Sequence, residues 1–172
     1  LWALNIAPVV LGIEPAGPTP TNAAQVSFTV TFSEAVSGVD AEDFQLITTG
    51  LTGAAIVSVT LDSGKTRTVT VSTGTGSGTL GLKLVDNDSI VDGQGKVLEG
   101  IGTAVGDFTG ADVFTIDKGP PSVALSCTAP NPVDLTPFSV TAYFSEPVSD
   151  FTVEDISLEN GALSGFSGEG HG

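Results

Sequence analysis

The chain has 172 residues and a formal net charge of −15, from 20 acidic and five basic side chains. So acidic a surface repels nucleic acids and anionic membranes, which attract lysine and arginine, and we exclude both as partners. The 40% hydrophobic content suffices for a core and argues against general disorder. No apolar run reaches the roughly 18 residues of a membrane-spanning helix, so we expect no membrane insertion in this segment.

The first predicted strands lie on either side of a proline-rich loop. Residues 9–13 form a short β-branched run that ends at a proline, which is typical of an edge strand. After the loop at residues 16–24, apolar and hydroxyl side chains alternate strictly over residues 26–33. This period of two predicts a strand with one buried and one solvated face. The buried face would carry Val26, Phe28, Val30 and Phe32.

Further short strands continue to residue 118. They are predicted at residues 44–48, 55–61, 66–73, 79–85 and 112–117. The turn Asp62-Ser63-Gly64-Lys65 is typical of a hairpin, and we expect the glycine-rich residues 74–78 to be a flexible connection. About seven short strands with turn signals between them, and no helical stripe, indicate an all-β protein with a β-sandwich fold.

One stretch of the chain occurs twice. Phe32-Ser33-Glu34-Ala35-Val36-Ser37 returns 112 residues later as Phe144-Ser145-Glu146-Pro147-Val148-Ser149, and Glu42-Asp43-Phe44 returns at the same offset as Glu154-Asp155-Ile156. A repeat of this length indicates two copies of one domain-sized module. In the second copy, the matching strands are predicted at residues 122–127, 138–145 and 155–159.

The repeat sets the predicted domain boundaries. Residues 8–118 form one complete sandwich, residues 119–121 a proline-rich linker, and residues 122–172 the first half of a second module. Residues 1–7 are predicted to be a linker or the end of a preceding module. Because the second module is unfinished and Leu1 is not a methionine, we expect the chain to be a slice of a longer polypeptide. Residues 121–172 should need more chain or another subunit to become stable.

These segments resemble the bacterial Ig-like repeats of large secreted and cell-surface proteins. The features that carry the resemblance are Val30-Thr31-Phe32-Ser33-Glu34, Ala41-Glu42-Asp43-Phe44, Leu84-Val85-Asp86-Asn87-Asp88 and Phe114-Thr115-Ile116-Asp117-Lys118. The resemblance implies an Ig-like Greek-key sandwich in a tandem array, secreted or at the cell surface. Neighbouring Ig-like modules of the same chain, or adjacent subunits, would then be the partners.

Calcium is the best candidate ligand, because hard cations take several oxygen ligands and acids cluster in the predicted loops. In some adhesin and cadherin-like repeats a linker aspartate and loop acids share one ion at a joint, which by resemblance would involve Asp117. The alternatives are solvated acids that cap turns, and a turn held by Asx hydrogen bonds at Asp86-Asn87-Asp88. The candidate calcium ligands are Glu34, Glu42, Asp43, Asp86, Asp88 and Asp117.

Enzyme chemistry finds little support in the sequence. Single residues, Cys127 and His171, leave no zinc ligand set and no catalytic triad. No signal places Glu34 and Asp43 across a cleft, as a hydrolase needs. We therefore predict a non-enzymatic repeat module of an adhesin stalk or filament, with calcium as a possible stiffener of its joints. The alternative is a recognition module that binds glycan or protein through the loops at one end of the sandwich.

Overall fold

The computed structural model describes residues 6–98, 107–110, 112–129, 134 and 137–168. The chain divides into two compact units, Leu1–Gly119 and Pro120–Gly172, which we call the first and the second unit. Most of the predicted segment 1–7 and the single histidine, His171, lie outside the described residues. No helix in the described part of the chain is long and apolar enough to cross a membrane.

The described residues of the first unit form antiparallel strands and the 3₁₀ turn Ala41–Asp43. Its strands are β1 (Val10–Pro15), β2 (Gln25–Phe32), β3 (Val36–Ser37), β4 (Phe44–Thr49), β5 (Ala55–Ser63), β6 (Thr66–Ser72), β7 (Gly78–Leu84), β8 (Val91–Asp92) and β9 (Phe114–Ile116). The longer strands lie within a few residues of their predicted positions. Short β3 and β8 and the 3₁₀ turn were not predicted.

Two sheets form the sandwich. One sheet has the strand order β1-β2-β6-β5, the other has β4-β7-β9, and β3 pairs with β8 in a separate two-stranded ladder. A four-stranded sheet that faces a three-stranded sheet, with these strand orders, is the arrangement of a seven-stranded immunoglobulin sandwich with Greek-key connections. The predicted Ig-like fold class is therefore confirmed.

The core lies between the inward faces of the two sheets. On β2, Phe28, Val30 and Phe32 are completely buried, as the alternation predicts, and they face the equally buried leucines of β7. The rings of Phe28 and Phe114 join the sheets in an edge-to-face contact, with centroids 5.2 Å apart and planes at 78°. Such a contact adds about 0.5–1.5 kcal/mol beyond the area it buries.

One charged side chain, Arg67, lies on the inward side of β6 in line with Val69 and Val71. Its guanidinium donates hydrogen bonds to three carbonyl oxygens, those of Val36 at 2.7 Å, Ser63 at 2.9 Å and Thr66 at 3.0 Å. Burial lowers the pKa of Arg67, and the carbonyls compensate the charged group for lost hydration. The bond to Val36 ties β6 to β3, which belongs to another ladder.

The glycine-rich residues 74–78 are hydrogen-bonded rather than a free linker. Thr75 exchanges two backbone hydrogen bonds of 2.9 Å with Thr52, and the Lys118 ammonium donates to the Gly74 carbonyl at 2.6 Å. Gly74 has a φ of +62°, and a Cβ at that position would collide with the Thr52 carbonyl oxygen. Glycine is therefore required here both for conformation and for space.

The second unit repeats the first half of this architecture. It contains the antiparallel strands β10 (Val123–Cys127) and β11 (Val140–Phe144) and a 3₁₀ turn, Val153–Asp155. Ser145 Oγ accepts a hydrogen bond from the Ser122 amide at 2.9 Å, just as Ser33 Oγ accepts one from Val9 at 3.0 Å. The sequence repeat is thus a repeat of local hydrogen bonding.

The strand predicted at residues 155–159 is wrong. This segment ends the 3₁₀ turn and continues without a ladder. Its counterpart in the first unit, β4, is a strand because it pairs with β7 along six residue pairs. The described residues of the second unit include no counterpart of β7, so the same local sequence has no strand to pair with.

We expect Phe28→Ala to lower the free energy of unfolding of the first unit by about 3–5 kcal/mol, because a fully buried ring leaves a cavity between the sheets. Gln45→Ala, on the exposed side of β4, is the matched control and should change it by less than about 0.5 kcal/mol. Urea denaturation monitored by far-ultraviolet circular dichroism measures the free energy of unfolding of both variants. Equal losses for the two variants would contradict the position of the core.

Candidate functional site

Acidic side chains from distant parts of the sequence meet at one end of the first unit. Asp43 immediately precedes β4 and Asp86 follows β7, and these strands pair antiparallel with Phe44 opposite Leu84. The two acidic clusters of the sequence therefore lie side by side. We call this region the acidic end; it consists of Asp40, Asp43, Asp86, Asp88 and Asp107.

Asp43 is the fully buried member of the acidic end. Its Oδ2 accepts a hydrogen bond from the Asp40 amide at 2.8 Å, and its Oδ1 accepts one from the Ser89 hydroxyl at 3.0 Å. In return, Asp40 Oδ1 accepts from the Glu42 amide at 2.8 Å, which completes a capping box around the 3₁₀ turn. Burial raises the pKa of Asp43, although both hydrogen bonds oppose that shift.

The second unit has the same capping box without the burial. Asp155 Oδ2 accepts from the Thr152 amide at 2.8 Å, and Thr152 Oγ1 accepts from the Glu154 amide at 3.3 Å. Asp155 is nevertheless exposed. The repeated acid therefore caps a turn in both copies, which was the structural alternative to calcium binding at this position.

Asp86 is half-buried and organises the loop that follows β7. Its Oδ1 accepts a hydrogen bond from the Asp88 amide at 3.1 Å, and its own amide donates to Asp107 Oδ1 at 2.9 Å. This is the Asx-bonded turn that the sequence offered as an alternative. Burial raises the pKa of Asp86, and repulsion from Asp88, Asp43 and Asp107 adds to the shift, although the hydrogen bond from the Asp88 amide opposes it.

Sequence reasoning missed two members of the acidic end. The role of Asp40 could have been predicted, because an N-cap residue three positions before an acid is the signature of a capping box. Asp107 was not, since it lies 21 residues from the amide that it accepts from. The isolated bridge between Leu84 and Phe108, with two backbone bonds of 3.0 Å, brings it into place.

The other predicted ligands lie apart from Asp43 and Asp86. Asp117 follows β9, whose Ile116 pairs with Gly78 at the opposite end of β7. At about 3.4 Å per residue, the seven residues of β7 separate the two ends by roughly 20 Å. Asp117 Oδ1 accepts hydrogen bonds from Gly119 at 3.0 Å and Ser77 at 3.4 Å. One ion within this unit cannot bind both Asp117 and Asp43.

Glu34 and Glu42 lie on the connection between β2 and β4. Glu34 is half-buried in the bend after β2, and Glu42 is exposed in the 3₁₀ turn. Among the described residues, no group of three or more His, Cys, Asp or Glu side chains is arranged to hold a metal ion. As it stands, the acidic end is a hydrogen-bonded capping structure that concentrates negative charge.

Comparison with known proteins agrees with the fold. The topology defines the first unit as an Ig-like β-sandwich, and residues 117–172 match the family described as bacterial Ig-like domain. The resemblance inferred from the sequence is confirmed by this match, which covers the second unit. The matched family is a structural, non-enzymatic type of domain. A search of curated protein sequences finds no significant match.

Among solved structures, the N-terminal part of the bacterial S-layer protein SbsC is similar to this chain. The two chains share 22% sequence identity with a TM-score of 0.42, and the similarity covers 71% of this chain and 26% of that chain. This chain therefore spans about a quarter of the length of that structure.

The raised pKa of Asp43 predicts a pH dependence. The folded unit binds a proton at this carboxyl at a higher pH than the unfolded chain, whose ordinary value is near 3.8. The contribution of Asp43 to stability therefore rises as the pH falls through the raised pKa towards 3.8, and is constant below that range. Asp43→Asn does not titrate; its oxygen can accept from the Asp40 amide, and its NH2 group can donate to the Ser89 hydroxyl oxygen.

We expect the stability of Asp43→Asn relative to the unchanged chain to be greatest at pH 7 and to decrease as the pH falls. Denaturation of both proteins in EDTA, from pH 7 to pH 4, measures this difference. The opposite trend would mean that the structure stabilises the Asp43 anion, and would contradict the effect of burial.

Proposed function

We propose that this chain is a structural repeat module of an extracellular or cell-surface bacterial protein, serving as part of a stalk or filament. The observation that carries the proposal is that three features of the first unit recur in the second at an offset of 112 residues. They are an antiparallel strand pair, a serine hydroxyl that accepts a backbone hydrogen bond (Ser33 and Ser145), and a capping box (Asp43 and Asp155). Tandem copies of one sandwich build length without requiring a catalytic centre. The match of residues 117–172 to the bacterial Ig-like domain supports the same conclusion.

The composition also suits a module exposed to water outside the cell. The acidic charge of −15 favours solubility, and the first unit encloses one continuous core in which both sheets participate. A core of this kind makes the sandwich unfold as one cooperative unit. A spacer needs that property, since it must keep its length under load.

Antibody raised against the first unit should label intact cells of the source bacterium, and protease added outside should remove the signal. A cytosolic protein of the same cells, protected from both reagents, is the control. Labelling that requires permeabilised cells would overturn the proposed location. This experiment does not depend on knowing any ligand.

We further propose that calcium binds at the acidic end and stiffens the module. The side chains of the acidic end are not arranged as a ligand set in the structure; the support is the repulsion of Asp86 by Asp43, Asp88 and Asp107, which a bound divalent cation would relieve. Extracellular modules typically bind calcium with dissociation constants of about 0.1–1 mM. Because both carboxylate oxygens of Asp43 already accept hydrogen bonds, the ion would rely on Asp86 and its neighbours.

At 10 mM calcium, a site with a dissociation constant of about 1 mM stabilises the first unit by about 1.4 kcal/mol. We expect a corresponding rise in melting temperature, with heat in a calorimetric titration, that Asp86→Asn abolishes. Glu14→Gln, which removes an exposed charge from β1, should leave it intact. No heat and no shift at 10 mM calcium would end the calcium proposal and leave the structural role standing.

A further inference from the structure

The outermost strand of the four-stranded sheet, β5, is unpaired along one edge. In the described part of the chain no strand lies beyond it in the order β1-β2-β6-β5, and we call this side of β5 the free edge. The sequence from Phe44 to Leu61 contains no charged residue, although the chain has a net charge of −15. Natural edge strands often carry lysine or proline, which discourage further pairing. β5 contains neither, and its Leu61 is 69% exposed.

The backbone of β5 presents hydrogen-bonding groups to the free edge. The Thr68 carbonyl on β6 faces β5, since it accepts a hydrogen bond from the Thr60 hydroxyl at 3.3 Å. Thr60 is the residue opposite Thr68 in the ladder, so its own amide and carbonyl point back to β6. Because successive residues of a strand direct these groups to opposite edges, Val59 and Leu61 direct theirs to the free edge.

Two bulges limit the length of strand that can be added there. The register between β5 and β6 shifts between Ile56 and Ser58, and again between Leu61 and Ser63. Bulges bend the strand and interrupt its pairing, which is one way in which proteins restrict an edge. The regular segment therefore runs from Ser58 to Leu61, and it allows one short ladder.

This segment is complementary to itself. When two β5 strands pair antiparallel about a two-fold axis beside Thr60, Val59 of each copy lies opposite Leu61 of the other. Both side chains are on the inward face, because they lie opposite Val69 and Arg67 of β6. The pairing thus forms two apolar cross-strand pairs on that face, and on the outward face it places Thr60 opposite its own copy.

The distribution of charge favours the same contact. Two chains with a net charge of −15 repel each other over most of their surface. The acid nearest to the axis is Asp62, which would lie opposite Ser58 of the other copy. The two Asp62 residues would then be four residues apart along the ladder, about 14 Å. This separation exceeds the Debye length of about 8 Å at physiological ionic strength, so their repulsion is largely screened.

We propose that the free edge of β5 binds a second copy of this chain, in an isologous dimer whose β5 strands run antiparallel with Thr60 at the two-fold axis. Main-chain hydrogen bonds from Val59 and Leu61 continue the four-stranded sheet into the other copy, and the paired apolar side chains leave water. The dimer joins two molecules side by side, and it does not depend on the extracellular location proposed above.

A disulfide cross-link tests the register in the full 172-residue chain, with Cys127→Ser to remove the exposed thiol. Under mild oxidation Thr60→Cys should give a covalent dimer, because opposite residues at a non-hydrogen-bonded site have Cα atoms about 4.5 Å apart, within the range of a disulfide. Ser58→Cys, on the same face of β5, is the matched control, since its two copies would be about 14 Å apart. We expect cross-linking to be at least about tenfold faster for Thr60→Cys.

A second experiment tests the apolar pairs without any cysteine. Sedimentation of the unchanged chain should show a monomer–dimer equilibrium, and Leu61→Lys, which places a charge opposite Val59, should abolish it. Leu11→Lys makes the same change at a 61% exposed leucine of β1, the other edge of the sheet, and should dimerise normally. At high protein concentration, hydrogen exchange should slow by at least about fivefold at the amides of Val59 and Leu61 but not at that of Thr60.

Any of three results would contradict the proposal. The first is an equal rate of cross-linking for Thr60→Cys and Ser58→Cys. The second is a chain that sediments as a monomer at every concentration. The third is a dimer that persists in Leu61→Lys, or that protects amides of β4 or β11 instead of Val59 and Leu61, since either outcome would assign the contact to another surface.

Discussion

The closure of one apolar row between two sheets is the constraint on which this molecule depends. In the first unit the inward side chains of β2 meet those of β7 and β9, and all of them are removed from water. In the second unit the corresponding row on β11 has the same register, but Val140 is 53% exposed and Ala142 and Phe144 are only half-buried. A two-stranded sheet is at best marginally stable in water, so covering this row decides whether the strand pair becomes a domain.

The acidic end illustrates how one local motif acquires two environments. The capping box at Asp43 recurs at Asp155, because both depend on residues within three positions of each other. Only Asp43 is buried, because the sandwich brings Ser89 and the loop after β7 over it. The raised pKa is therefore a property of the finished sandwich and not of the repeated motif.

The same distinction explains which predictions succeeded. Strict alternation over residues 26–33 located β2 and its buried face, and the leucines of residues 79–85 located β7. The strand predicted at residues 155–159 failed because a strand needs a ladder partner, which local pattern does not supply. The inward position of Arg67 could have been read from its spacing to Val69 and Val71, but the carbonyl that it binds on β3 could not.

By itself, the sequence determined the all-β class, the repeat offset of 112 residues, the buried face of β2 and the acidic character of the loops. These are short-range properties, carried by side-chain periodicity and by identity between two stretches of one chain. Only the tertiary structure decided that Asp43 and Asp86 meet while Asp117 lies at the other end of the first unit, and that Arg67 donates to the Val36 carbonyl on β3. Those outcomes depend on pairings between residues far apart in the chain, such as the 46 positions between Asp43 and Ser89, which local patterns do not encode.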